Sequence, residues 1–300
     1  MLFRGTGTAI ITPFTTDNNI DYTAFKKILS FQIKNGIDAI ILIGTTGESP
    51  VISLEERKKL INVTVEETAG RAKVIVGTGT NDTMKVIELN KIVEEYKADA
   101  LLIVNPYYNK GTQLSLVEHY KYISERTSLP IVLYNVPSRT GMNLLPETIV
   151  KIHSVCKNVV AVKEACGNIS QIAHLFSIKP PSLTVYSGND DQTFPIMALG
   201  GEGVVSVFSN AYPKEMKQIT DALLKNDLNS ARKLNNKYLR MMNLLFAETS
   251  PSPIKFVMSK LGMCENTLRL PMSPVTELTE KLLIEEMNKI WGRNSGLTNY

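Results

Sequence analysis

The chain has 300 residues, of which 43% are hydrophobic and 21% are charged, as in a globular protein with one large domain or two smaller ones. Its 33 basic and 29 acidic residues give a formal net charge of +4 and are mixed along the chain, so no basic stripe or tail indicates nucleic-acid binding. The three cysteines are too few to cross-link a chain of this length, which favours a reducing compartment. The spacing of the cysteines and of the three histidines matches no metal-ligand pattern, which argues against a metal site.

The N-terminus carries no long apolar segment followed by a small-residue cleavage site, so we expect no signal peptide. No apolar run approaches the roughly 20 residues that are needed to cross a bilayer. From these two features we expect a cytoplasmic protein that does not associate with membranes.

Short apolar runs, many of them rich in β-branched residues, recur along the chain and predict eight β-strands. They cover residues 8–12, 39–43, 73–77, 100–104, 130–134, 159–163, 183–186 and 203–207. The runs are continuously apolar and do not alternate with polar residues. This pattern favours strands that are buried on both faces, as in a parallel sheet.

Charged segments with helical periodicity separate these strands, among them residues 22–34, 54–68 and 83–96. The second begins with a capping box, in which Ser53 and Glu56 each satisfy a free backbone N–H of the other. Eight strand–helix units over about 220 residues predict an α/β fold, the (β/α)8 TIM barrel. An open doubly wound sheet is the alternative, but no Gly-x-Gly-x-x-Gly motif follows the first strand.

After the eighth strand the alternation stops, and residues 213–291 predict helices alone, interrupted by prolines at 250–253 and 271–274. We read this region as the last barrel helix and a C-terminal helical extension. The predicted division is a catalytic barrel over residues 1–225, a helical bundle over 226–291 and a flexible polar tail over 292–300.

Functional residues of such a barrel lie at the C-terminal ends of the strands and in the loops that follow them. Polar and aromatic residues stand at these positions in segments 44–48, 105–109 and 134–141. Their convergence on one mouth predicts a pocket for a small molecule.

Lys163 ends an apolar run, where period-two alternation places it on the same face as Ala161 and Val159. If that face points into the barrel, burial disfavours the charged form, and the neutral amine can attack a carbonyl carbon to form a Schiff base. The alternative is that the strand ends at Lys163 and the amine reaches water.

Three other features could support such chemistry, although each is commonplace alone. The glycine-rich turn with Thr45 and Thr46 can bind a carboxylate through hydroxyl and backbone N–H groups. The phenol of Tyr134 could relay a proton, and the guanidinium of Arg139 fits a second carboxylate. Taken singly, they are more often an ordinary turn, a packed aromatic ring and a solvated arginine.

Three motifs together carry a resemblance: Gly44-Thr-Thr-Gly-Glu48, Tyr134-Asn-Val-Pro-Ser-Arg-Thr-Gly141 and Val160-Ala-Val-Lys-Glu164. In their order and spacing the chain resembles the dihydrodipicolinate synthases of the pyruvate-dependent class I aldolase superfamily, from about Gly5 to Ile290. The resemblance implies condensation of pyruvate with L-aspartate 4-semialdehyde through a lysine Schiff base. The product would be 4-hydroxy-tetrahydrodipicolinate, a precursor of diaminopimelate and lysine, and no metal or organic cofactor would be needed.

The resemblance also assigns catalytic roles. Lys163 would form the Schiff base, and Tyr134 would donate and accept protons. Thr45 would link Tyr134 to Tyr108 in a proton relay. Because Tyr108 reaches into the neighbouring subunit's site in this family, the resemblance implies a homodimer at least, and commonly a homotetramer built as a dimer of dimers.

Substrate binding is assigned in the same way. Thr46 and the backbone of Val205 would hold pyruvate, and Arg139 would bind the carboxylate of the semialdehyde. Another aldolase of the superfamily, N-acetylneuraminate lyase or a keto-sugar-acid aldolase, would use the same lysine and tyrosine. Such lyases lack an arginine matching Arg139 and carry Ser-Thr in place of Thr45 and Thr46, so the synthase is favoured. A catalytically silent binding protein would have no use for the relay.

One departure from the family concerns regulation. Lysine-inhibited members bind L-lysine in a dimer-interface cleft beside the relay tyrosines, where an acidic residue contacts the inhibitor. Lys85 stands at that acidic position, and Leu54 stands where histidine is frequent. Because a like charge repels the inhibitor's ammonium, we expect weak or absent inhibition by L-lysine.

Overall fold

The computed structural model describes residues 1–291 and contains a closed barrel of eight parallel strands. Each strand pairs with the next in chain order, and the eighth pairs with the first. The strands are β1 Gly5–Ala9, β2 Ala39–Leu42, β3 Lys73–Gly77, β4 Ala100–Val104, β5 Ile131–Asn135, β6 Val159–Glu164, β7 Thr184–Ser187 and β8 Gly203–Ser206. The predicted TIM-barrel fold is confirmed. The tail predicted over residues 292–300 lies outside the described residues.

Helices alternate with the strands and surround the barrel. They are α1 Tyr22–Lys34, α2 Leu54–Thr68, α3 Thr83–Glu95, α4 Gln113–Ser124, α5 Pro137–Thr140, α6 Pro146–Val155, α7 Ile169–Ile178 and α8 Thr193–Ala198. The capping box of α2 is present as predicted: the Glu56 N–H donates to Ser53 Oγ at 3.3 Å, and the Ser53 N–H donates to Glu56 Oε2 at 2.8 Å.

Up to residue 291, four more α-helices follow β8, namely α9 Pro213–Leu224, α10 Leu228–Leu244, α11 Ser252–Lys260 and α12 Glu277–Trp291. They stay in contact with the barrel: the Tyr212 ring stacks on Phe208 at 4.7 Å and on Trp291 at 5.0 Å. The predicted boundary at residue 225 falls in the turn between α9 and α10, and the division into two domains stays a prediction.

Within residues 1–291, no helix combines the length and the apolar character that crossing a membrane requires. The cytoplasmic location stays a prediction from the sequence.

The first strand begins at Gly5, three residues before the predicted segment 8–12. Its threonines are polar, yet they are fully buried because their hydroxyls have partners on surrounding elements. Thr6 Oγ1 lies 2.8 Å from Thr220 Oγ1, and the Thr8 hydroxyl donates to Gln32 Oε1 at 2.8 Å. A search for apolar runs therefore misses this strand's start.

Two apolar clusters form the core, one between the strands and the helices and one inside the barrel. Ala161 belongs to the inner cluster, but Val159 belongs to the outer one, so the prediction that both share a face with Lys163 is wrong for Val159. The reason is a β-bulge. Ile131 pairs with Val159, whereas Val132 pairs with Ala161, and this shift reverses the alternation at the start of β6.

Candidate active site

A cavity of about 480 Å³ opens at the C-terminal ends of the strands. The turn after β2, the ends of β5 and β6, and the loop between α10 and α11 form its wall. Five of the predicted residues line it together: Thr45, Thr46, Tyr134, Arg139 and Lys163. Carboxyl ends of barrel strands are where such sites form, so the topology accounts for their convergence.

Lys163 lies on β6, where it is 6% exposed and pairs with Tyr134 of β5 and Tyr186 of β7 in the strand register. Its Nζ lies 4.1 Å from the centre of the Tyr134 ring. Among residues 1–291, no carboxylate oxygen comes within ion-pair distance of this nitrogen. The amine is therefore a buried nitrogen that faces a phenol and an open cavity.

A second buried lysine shows the opposite arrangement. Lys255 of α11 is fully buried, but its Nζ forms an ion pair with Glu48 and donates a hydrogen bond to Thr267 O at 2.9 Å. Desolvation lowers the pKa of Lys255, and the negative charge of Glu48 opposes that shift. The Lys255 ammonium is therefore held in an ion pair with Glu48, whereas the Lys163 amine faces the cavity.

The Thr45–Thr46 turn is held by short-range hydrogen bonds. The Glu48 N–H donates to Thr45 O at 3.1 Å, and the Thr12 hydroxyl donates to Gly47 O at 2.8 Å. Ile43 and Glu48, at the two ends of the turn, have left-handed φ angles of 54° and 55°. Non-glycine residues keep such angles only where their surroundings enforce them, a feature typical of functional sites.

Arg139 lies in α5, a single helical turn that begins with Pro137 and ends at Thr140; the next residue, Gly141, has a left-handed φ of 65°. Its exposed guanidinium donates from Nη2 to Ser250 O at 3.2 Å, across the mouth of the cavity. Arg139 also lines a neighbouring cavity of about 280 Å³, which shares Thr45 and Tyr134 with the first. The arrangement places a fixed positive charge where an incoming carboxylate would pass.

Two predicted site residues lie outside this cavity lining. Tyr108, in the loop after β4, has a left-handed φ of 70° and is 92% exposed. Val205 lies deeper inside the barrel, where it pairs with Gly7 of β1, and Val207 lines the cavity instead.

A buried polar network lies directly behind β5 and β6, and the sequence reasoning missed it. Glu164 accepts hydrogen bonds from Asn135 Nδ2 at 3.0 and 3.1 Å and from the Cys166 N–H at 2.8 Å. Asn105 Nδ2 donates to Asn135 Oδ1 at 3.3 Å. Burial raises the pKa of Glu164 to about 7 despite these bonds. A signal existed: each of these side chains stands at or directly after the end of an apolar strand.

Asp190 is another buried carboxyl at this end of the barrel. It accepts hydrogen bonds from the Val207 N–H at 3.0 Å and the Phe208 N–H at 2.9 Å, which fixes the chain after β8. Burial raises the pKa of Asp190 to about 6. Within the described part of the chain, no group of three or more His, Cys, Asp or Glu residues could hold a metal ion.

The chain is similar to known proteins over almost its whole length. The model of the Dihydrodipicolinate synthetase family matches residues 2–289. A 4-hydroxy-tetrahydrodipicolinate synthase of Fervidobacterium nodosum is 47% identical over 96% of this chain and 99% of its own length. A crystal structure of dihydrodipicolinate synthase from Thermotoga maritima superposes with a TM-score of 0.95 at 45% identity, covering 96% of this chain and 99% of that one.

A structure described as a monomeric dihydrodipicolinate synthase variant has a TM-score of 0.94 at 44% identity and covers 97% of each chain. These relatives favour the synthase over the other aldolases that share the lysine and the tyrosine. The predicted enzyme activity, that of a 4-hydroxy-tetrahydrodipicolinate synthase, is confirmed by them. The chain belongs to the dihydrodipicolinate synthetase family.

Proposed function

We propose that Lys163 performs this synthase reaction as the Schiff-base residue and that the substrates are pyruvate and L-aspartate 4-semialdehyde. The observation that carries the proposal is the buried Lys163 amine, which faces the Tyr134 ring at 4.1 Å in a cavity that Thr45, Thr46 and Arg139 also line. An amine without a counter-ion in such a place is suited to nucleophilic attack on a carbonyl.

The chemistry then follows from the groups in the cavity. The Lys163 nitrogen attacks C2 of pyruvate to give a carbinolamine, and Tyr134 donates its phenolic proton to the carbinolamine hydroxyl, which leaves as water and gives an iminium. The iminium withdraws electrons, so the methyl group loses a proton to the Tyr134 phenolate and becomes an enamine carbon nucleophile. That carbon bonds to the aldehyde carbon of the second substrate, and the aldehyde oxygen takes the proton from Tyr134 and becomes a hydroxyl. The amino group of the second substrate then attacks C2, and Lys163 leaves as the amine while the ring closes.

Binding of the two substrates uses different parts of the wall. Thr46 holds the pyruvate carboxylate without a charged side chain, and the backbone of Val205, which lies deeper in the barrel than the cavity lining, is the second contact that we assign to pyruvate. Arg139, at the mouth, pairs with the carboxylate of the semialdehyde. Because the guanidinium already bonds to Ser250 O, it is held in place before the substrate arrives.

The proton relay requires a second copy of the chain. Tyr108 would join Thr45 and Tyr134 in the neighbouring subunit, and its 92% exposure in one chain leaves it available for that role. Met84 and Leu114 are exposed apolar side chains on the helices that flank its loop. A face of this kind favours a homodimer, and a tetramer would be a dimer of dimers.

Borohydride trapping tests the proposal directly. Reduction in the presence of pyruvate should add a pyruvate-derived mass to the peptide that contains Lys163, and the Lys163→Ala variant should show no adduct. Lys255 is the internal control, because it is equally buried but ion-paired, and it should stay unmodified. An adduct on another lysine, or none at all, would exclude Lys163 as the nucleophile. A coupled assay should then show turnover of aspartate semialdehyde and none of N-acetylneuraminate.

A further inference from the structure

Glu48 and Lys255 form a buried ion pair immediately behind the Thr45–Thr46 turn. Each partner has a further hydrogen bond: the Arg269 N–H donates to Glu48 Oε2 at 3.1 Å, and Lys255 Nζ donates to Thr267 O at 2.9 Å. The ammonium also lies 4.0 Å from the centre of the Phe14 ring. A buried charge pair with this many partners defines one geometry, because any displacement leaves a charge uncompensated in a low dielectric.

The pair belongs to two different parts of the chain. Glu48 ends the turn after β2, whereas Lys255 and residues 267–269 come from the C-terminal extension. The side chain of Arg269 strengthens the same junction by donating to Val51 O and to Glu56 Oε2, both at 2.8 Å. The extension therefore holds residues 48–56 from outside the barrel.

The turn needs such an external support. Its end residues, Ile43 and Glu48, both have left-handed φ angles, which the turn's own hydrogen bonds alone do not enforce. Glu48 stands three residues after Thr45 and is bonded to its carbonyl oxygen. The anchored Glu48 side chain thus fixes the backbone at the end of the turn that carries both threonines.

We propose that Glu48 and Lys255 are positioning residues that fix the Thr45 and Thr46 hydroxyls, so that the C-terminal helices serve catalysis as well as folding. Neither residue touches the reacting atoms, and both act through the turn. This inference rests on the proposed function, because it matters for turnover only if those hydroxyls bind pyruvate and relay protons.

The principal test is the double variant Glu48→Gln/Lys255→Met. It removes both charges at nearly constant volume, so no unpaired charge is left in the core, and it is expected to fold. We expect kcat to fall by about tenfold or more and KM for pyruvate to rise, since small misplacements of catalytic groups cost this much. The borohydride adduct at Lys163 should still form.

A control charge pair lies at the N-terminal end of β2, the strand that precedes the Thr45–Thr46 turn. Lys217 pairs with Asp38, at 3.2 Å, directly before β2 and far from the cavity. The Asp38→Asn/Lys217→Met variant removes a lysine–carboxylate pair that is half-buried, whereas Glu48 and Lys255 are fully buried. It should leave kcat and KM for pyruvate unchanged, whatever its effect on the melting temperature.

A mutant cycle with Thr45→Val separates positioning from a purely structural role. If the pair acts through the turn, the loss of kcat in Thr45→Val combined with the pair variant should be clearly smaller than the product of the separate losses. If the fold-losses of kcat in Thr45→Val and in Glu48→Gln/Lys255→Met simply multiply, the inference is overturned. It is also overturned if Glu48→Gln/Lys255→Met folds and its kcat is unchanged. Should the double variant not fold, Glu48→Asp retracts the carboxylate while keeping its charge, and it should lower kcat about fivefold or more. An unchanged kcat in that variant would equally overturn it.

A wrong functional proposal would give a different result from a wrong positioning proposal. If the proposed function is wrong, the wild-type chain itself gives no pyruvate adduct at Lys163.

Discussion

Arg139 is an exposed residue whose guanidinium donates to Ser250 O at the mouth of the cavity, so we expect its removal to affect substrate binding more than stability. We predict that Arg139→Ala raises KM for aspartate semialdehyde by about tenfold or more, because a charge-assisted contact to the carboxylate is lost. KM for pyruvate and the Lys163 adduct should not change. Steady-state kinetics with both substrates measure this. Arg126→Ala, at an exposed arginine after α4, is the control, and equal kinetics of the two variants would contradict the assigned role.

Glu164 makes the stability of the barrel depend on pH. Burial raises its pKa from the ordinary 4.5 to about 7, so the folded chain binds its proton more tightly than the unfolded chain. Its contribution to stability is therefore complete below about pH 4.5 and is lost as the pH rises through 7, a change of up to about 3 kcal/mol.

We predict that Glu164→Gln flattens this dependence. Between pH 5 and pH 8, denaturant unfolding should show a smaller decrease in the free energy of unfolding for the variant than for the wild type. The decrease that remains in the variant belongs in part to Asp190. The variant should be less stable than the wild type at pH 5 by about 1 kcal/mol, because its amide N–H₂ meets the Asn135 donor. Glu118→Gln, at an exposed carboxylate, is the control. Parallel pH profiles for Glu164→Gln and the wild type would refute the prediction.

The reach of sequence reasoning differs between the residues of the site. Lys163 could be placed on the inner face because Ala161, two residues earlier, is part of the same regular strand. Val159 lies on the other face, because a bulge is set by how β5 and β6 pair and leaves no mark in the periodicity of the sequence. The cavity wall from Phe246 to Ser250 comes from a helix connection, whose position depends on tertiary packing rather than on any local pattern.

At the scale of elements, the end of β3 passes close to the chain directly after β2, where the Thr45–Thr46 turn begins. A Cβ added at Gly77, the last residue of β3, would lie 2.2 Å from the carbonyl oxygen of Ile43. Gly77 thus makes room for the left-handed backbone of Ile43. We predict that Gly77→Ala lowers the free energy of unfolding by about 1–3 kcal/mol and lowers kcat as well, because the turn must move.

The control for this prediction is Gly44→Ala in the same turn, where an added Cβ meets no atom within 4 Å. Its free energy of unfolding should stay within about 0.5 kcal/mol of the wild type. Chemical denaturation compares the two variants. If Gly77→Ala is as stable and as active as Gly44→Ala, the close approach has no role.

Strands and helices were predicted best where one physical signal dominates. Helices α1 and α2 begin and end at the predicted residues, since amphipathic periodicity and capping residues agree there. The start of β1 was displaced because Thr6 and Thr8 are buried through hydrogen bonds to residues far along the chain. Such partners become visible only when the barrel closes.

At the scale of the whole molecule, we expect the cavity lined by Tyr107 to face a second subunit. The positive charge of its lining bears on inhibition by L-lysine. Arg57 and Arg139 line this cavity of about 280 Å³. Lys85 is not part of this lining and lies on α3, where it pairs with Glu88 at 2.9 Å. We predict that submillimolar L-lysine reduces turnover by less than about twofold, because positive groups repel its ammonium. Strong inhibition in a steady-state assay would contradict this.

Assembly can be tested through the division of one active site between two chains. Lys163→Ala lacks the nucleophile but supplies Tyr108, whereas Tyr108→Phe supplies Lys163 but lacks the relay hydroxyl. Each variant alone should be strongly impaired. After the two are unfolded together and refolded, hybrid dimers contain one complete site, so the mixture should recover about a quarter of the wild-type rate. Native mass spectrometry verifies that hybrids form. If hybrids are present and the rate stays at the level of the parent variants, Tyr108 does not act in the neighbouring subunit's site.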